Sequence, residues 1–178
     1  MPDESPSILV GSIELFKIIM LTGAIIGVLS VSQIWFGMDF AIIRFDYAGY
    51  DFVVKSLSYP ESYPGIGYYA YMPLAAFAAS AISIVPSVLT FTKHEKKGAL
   101  IGILLGLVIL ISVLLYVFYP ESKIAVSSPS ADMIANIKLM DHLGAGVYSA
   151  AVAGMLLITG GTIVLIHRKA VSGTQKDE

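Results

Sequence analysis

Three histidines and a thin scatter of carboxylates are all that this chain offers for acid–base or metal chemistry. The best such grouping is Asp141–His142, if Asp132 or Asp46 is brought beside it, because imidazole and carboxylate are the donors left to a divalent ion when no thiolate is present. A polar pair at the end of an apolar helix explains Asp141 and His142 more simply, so they stand as weak metal candidates only. His94–Glu95 lies in the basic stretch "TKHEKKG", where solvation or contact with anionic lipid accounts for it better than catalysis. His167 stands alone near the end of the last apolar run. No HExxH, GxSxG, P-loop or GxGxxG pattern occurs. There are no cysteines, which removes disulfides, thiolate metal sites and cysteine nucleophiles. The expectation is a non-enzymatic protein without a cofactor.

The elements that would position any site are set by composition. The 178 residues are 56% hydrophobic and 13% charged, against about 25% charged in a soluble domain. A net charge of -2 excludes nucleic acid as a partner, since phosphate contact needs a basic face. Four stretches free of Asp, Glu, Lys and Arg, residues 18–38, 62–92, 98–120 and 143–166, reach the roughly 20 residues that cross a bilayer core. They predict membrane helices over about 15–37, 66–92, 98–119 and 142–167 in one integral membrane domain covering 1–178. "MPDESPS" is acidic where a secretory signal would be basic, so the first stretch reads as a helix of the mature protein.

Basic residues orient the set. Lys17, Lys93, Lys96, Lys97, Arg168, Lys169 and Lys176 fall on one side; Arg44, Lys55, Lys123 and Lys138 fall on the other, with seven acids. The positive-inside rule then predicts a multi-pass protein of the plasma membrane with both termini and the central loop cytoplasmic.

Little hydrophobic drive acts between helices in lipid, so close approach depends on small residues. Gly23 and Gly27 in the first helix, Gly98, Gly102 and Gly106 in the third, and Gly146, Ala150 and Gly154 in the fourth recur at GxxxG-like spacing. These stripes pack the helices of one protomer together, or one of them meets a neighbouring subunit. Pro73 fits the first turn of the second helix, whereas Pro86 lies inside it and predicts a kink. Ser128 as N-cap and Pro129 as first helical residue predict that the fourth helix extends outward from about residue 129. Met133, Ile137 and Met140 share one face of that extension, which would rise about 21 Å.

Outside the spans, residues 38–65 form an outer segment. Alternation over 38–47, a turn at Gly49 and "DFVVKSL" predict strands at about 38–47 and 50–57, with 122–128 as a third edge strand. Phe45, Tyr47 and Tyr50 are the candidate partner surface. Trp35, Tyr59, Tyr63, Tyr68, Tyr69 and Tyr71 suit an interfacial aromatic belt. "YPES" occurs at 59–62 and again at 119–122 and reads as turn chemistry at two similar boundaries.

Trp35, "GYD" at 49–51, "GYY" at 67–69 and "GAGVYSAAVAGMLLITGG" at 144–161 give the chain a layout that resembles small four-helix membrane proteins of bacteria and archaea with no assigned function. Helix count and loop placement are also similar to claudin-type tetraspan proteins, but the claudin Gly-Leu-Trp and paired cysteines are missing. The resemblance implies topology and no junction function. The expected fold is an all-α transmembrane four-helix bundle with a small extracellular β-sheet cap. Its expected role is structural or accessory, through lateral oligomerisation or a cap presented to a protein partner. Expected partners are membrane lipids and a homo-oligomer or larger membrane complex. The alternative is an oligomeric channel or permease component; the absence of any ionisable side chain within the apolar runs argues against a self-contained pump.

Overall fold

The computed structural model describes residues 6–40, 43–51, 54, 71–118, 123–128, 131–138 and 142–174. Four long helices dominate: α1 (Pro6–Ser30), α2 (Met72–Leu89), α3 (Glu95–Phe118) and α4 (Ala145–Thr174). Strands β1 (Ile34–Phe40) and β2 (Ile43–Ala48) lie between α1 and α2, and β3 (Lys123–Ser128) and β4 (Ala131–Lys138) lie between α3 and α4. Among the described residues three helices are long and apolar enough to cross a membrane: Met72–Leu89, Glu95–Phe118 and Ala145–His167. α1 has 25 residues and carries Glu14 and Lys17 near its middle.

Each helix packs most closely on two others, α1 on α2 and α4, and α3 on α2 and α4. The contacts fix antiparallel neighbours. Gly161 lies against the Ala99 carbonyl while Gly154 lies against that of Gly106, so α3 and α4 run oppositely. Gly23 meets Ala153 while Gly160 meets Phe16, so α1 and α4 do too. The core is narrow and built of small residues, Ala24, Ala76, Ala79, Ala150 and Ala153, with Met20, Ile109 and Leu157 filling between them. Large side chains instead cover the outside of α3, from Leu100 through Leu104, Leu107 and Ile111 to Phe118. This inversion of the soluble pattern is what a lipid environment permits.

Three features differ from the sequence expectations. First, α1 ends at Ser30 rather than near residue 37. The Ser30 and Ser32 hydroxyls donate back to the Gly27 and Leu29 carbonyls, at 2.7 and 2.8 Å, and draw the last turn closed. The chain then enters β1 directly, and the strand pair is Ile34–Phe40 with Ile43–Ala48, from Gly37↔Asp46 to Phe40↔Ile43. Second, Gly49, Tyr50 and Asp51 are helical, not the turn and start of a strand at 50–57. Asp51 favours this by accepting from the Ala48 backbone N–H at 2.9 Å. Third, no helix extends outward from residue 129. Residues 131–138 are a strand, paired antiparallel with β3 from Lys123↔Lys138 to Ser128↔Ala131, and α4 starts at Ala145. Proline's fixed φ suits a turn as well as a helix start, so Ser128–Pro129 is a degenerate signal that the neighbouring strand "KIAVSS" decides. Residues 123–128 are indeed a strand, but they pair with β4 and not with the first hairpin, giving two separate two-stranded sheets.

Pro73 occupies the first turn of α2, following Tyr71 at its N-cap. The helix continues through the buried Pro86 to Leu89, and the Pro86 carbonyl accepts from the Thr90 N–H at 3.2 Å. α2 thus ends one turn after the proline that removes its bond to Ile82.

Candidate functional site

Trp35 is the first residue to place, because the structure puts it in the core and not in an interfacial belt. It is fully buried where α1 gives way to β1. Its indole N–H donates to the Ser30 carbonyl at 2.8 Å, which also accepts from the Gln33 backbone N–H at 3.1 Å as α1 ends. Its ring meets the buried Tyr116 edge-on, centroids 5.2 Å apart, which brings in α3. Its own carbonyl accepts from the Gly144 N–H at 3.0 Å and the Tyr116 hydroxyl at 3.4 Å, which brings in the entry to α4. Two glycines sit directly on the indole: a methyl at Gly49 would lie 2.8 Å from Nε1, and one at Gly146 would lie 2.5 Å from the same atom. Phe36 continues the clasp by bridging to Leu143, with its ring 6.1 Å from Tyr47 and 5.6 Å from His142. Gln33 and Ser149 close it with a 2.6 Å side-chain hydrogen bond.

The opposite end is held by charge. Lys17, only 8% exposed, donates to Glu14 at 3.0 Å and lies 3.5 Å from Glu95 at the start of α3. Its ammonium also stands 5.8 Å from the centre of the Phe91 ring.

Between the two ends the small residues do the packing. Gly23 faces Leu156 and the Ala153 carbonyl; Gly27 faces Ser80; Gly98 faces the Pro86 carbonyl and Thr90; Gly102 faces Met20. Gly106 and Gly154 face each other, each near the other's carbonyl oxygen. Gly146 takes the indole, and Ala150 is fully buried. All eight lie at contacts within this one chain.

The buried hydroxyls of α2 are committed to their own helix. Ser80, Ser83, Ser87 and Thr90 donate to the carbonyls of Ala76, Ser80, Ser83 and Ser87, at 2.6–2.7 Å. This is the ordinary way for Ser and Thr to lie buried in a membrane helix. Gly27 depends on it, because a methyl there would sit 2.7 Å from Ser80 Cβ and closer still to its hydroxyl. Gly27→Ala is therefore expected to destabilise by about 1–3 kcal/mol. Adding Ser80→Gly is expected to recover about 1 kcal/mol or more, despite the helix propensity it gives up. Unfolding in mixed micelles followed by circular dichroism measures both, and a double variant no better than the sum of the singles removes the contact.

The remaining sequence candidates are dispersed. Tyr50 is 51% exposed, Tyr47 is half-buried against Phe36, and the Phe45 side chain lies outside the described residues. His142 packs its ring on Phe36, whereas Asp141 and Asp132 have no described side chains. Among the described residues no three of His, Asp and Glu gather as a metal-ligand group. The contacts that spacing alone misses are those of Trp35 with Gly49 and Tyr116 and of Lys17 with Glu95. The available signal was a lone tryptophan just past a Ser-rich helix end, and a lysine one turn beyond Glu14. Compared with known proteins, the chain matches no family model, no curated protein and no solved structure.

Proposed function

We propose that this chain is a four-span membrane protein of structural or accessory type, without enzymatic activity, in which α1 joins the three apolar helices to complete a bundle. In this reading the termini and the α2–α3 loop are cytoplasmic in a plasma membrane, and the two hairpins lie outside as its cap. The observation that carries it is the closure of the small-residue seams inside the protomer. With Gly106 against Gly154 and the α2 hydroxyls bonded to their own backbone, the protomer centre is packed side chain, not a conduit. What is left for neighbours is the outer end, with Tyr50, Tyr71 and Tyr148 exposed, and the apolar helix faces. Such a surface suits lateral association or a protein partner.

The channel alternative is less well supported, because the Ser and Gly faces that would line a pore between subunits are already occupied within one chain. Native mass spectrometry of gentle membrane extracts tests the proposal: a homo-oligomer or a stoichiometric co-purifying protein is expected. A dispersed monomer without a companion would overturn it, and ion flux through liposomes holding the pure protein would favour the channel instead.

A further inference from the structure

We propose that the α2–α3 loop and the first turn of α3 bind the phosphate headgroup of an anionic phospholipid. The loop sequence "TKHEKK" has one acid among three lysines, and the structure takes that acid out of play. Glu95 turns to Lys17, 3.5 Å away, where it is 24% exposed in its side chain. Lys93, Lys96 and Lys97 are exposed, and among the described residues none of them is in an ion pair. With Lys17 shared by Glu14 and Glu95, the four lysines at this helix junction exceed the carboxylates by two, and the three loop lysines are the exposed ones.

What lies beside them selects the kind of anion. Lys97 stands at the head of an exposed row on α3 formed by Ile101, Leu104 and Val108, at successive helical spacings of four, three and four. Lys96 similarly heads Leu100 and Leu107 on the adjoining row. From Lys97 to Val108 the row is about 16 Å long, close to half of the roughly 30 Å hydrocarbon core. A cation above an apolar strip one leaflet deep matches a lipid with a charged head and acyl tails. A free inorganic anion would use the lysines and leave the strip unexplained. The inference rests on the membrane reading above and on this row of α3 facing lipid.

Native mass spectrometry of the full chain, offered phosphatidylglycerol and phosphatidylcholine with identical acyl chains, tests it. One basic residue beside an anionic surface shifts partition by about fivefold, so a preference for phosphatidylglycerol of at least that size is expected. The variant carrying Lys93→Gln, Lys96→Gln and Lys97→Gln is expected to bring the ratio near one, and the triple Lys→Arg variant to keep it. Equal retention of the two lipids by the unaltered protein overturns the proposal, as does a preference that survives the triple Gln change. Displacement of the lipid by millimolar inorganic phosphate overturns the lipid as the source. Membrane fractionation of the same samples separates this failure from failure of the membrane reading.

Discussion

Trp35→Ala is expected to lower stability by about 3–5 kcal/mol, the range for removing a fully buried large aromatic. The change empties the centre of the clasp and leaves the Ser30 carbonyl without its indole donor. It also removes the edge-on partner of Tyr116 and leaves a void between Gly49 and Gly146, which have no side chains to fill it. Trp35→Phe separates the contributions. Most of the packing remains while the Ser30 hydrogen bond is lost, so a smaller loss of about 1–3 kcal/mol is expected. Both are read by circular dichroism during unfolding in mixed micelles. Trp35 is the sole tryptophan, so the unaltered protein should show blue-shifted emission that moves to the red as the clasp opens. Water-like emission in the folded protein, or an alanine variant within 1 kcal/mol of the parent, would contradict this placement.

Gly106→Ala and Gly154→Ala are each expected to destabilise by about 1–3 kcal/mol, because a backbone carbonyl stands in the way beside the side chains of Ile158 and Leu110. A methyl on Gly106 would lie 2.9 Å from the Gly154 carbonyl oxygen, and one on Gly154 would lie 3.0 Å from that of Gly106. The reciprocity makes a sharper test than either variant alone. The first methyl pushes α3 from α4, and the second then enters space already opened. The double variant is expected to lose clearly less than the sum of the singles, a coupling that residues in contact show and distant ones do not. Strict additivity would mean that these helices do not cross here. Leucine at either position is expected to prevent the native packing of α3 on α4 altogether.

The long helices could be read from the sequence because an apolar run free of charge has few alternatives, and the glycines marked contact positions because close approach leaves no room for a side chain. Which helix each glycine meets was not legible. Gly102 takes Met20 and Gly98 takes the Pro86 carbonyl, pairings that depend on how the four rods are ordered. The segments between the helices are harder to read for a local reason. "SADMIANIK" carries apolar residues compatible with both a helical and a strand period, and only the antiparallel partner at 123–128 selects the strand. Aromatic type at the end of an apolar run suits lipid headgroups as well as a core, so type alone does not place Trp35. Its burial follows from Gly49, across the first hairpin, and from Gly146, far away in sequence in the last helix.

The long-range hydrogen bonds of Trp35 also bear on when the molecule can be finished. Its carbonyl waits for Tyr116 and Gly144, and its ring waits for Gly146. A chain emerging from the ribosome in order has its first helix and first hairpin in place long before those partners exist. The first helix therefore carries an unsealed aromatic exit through most of synthesis, and closure comes only with the last span. Chains stopped before residue 144 would keep that exit open, a mark by which quality control could tell an unfinished copy from a complete one.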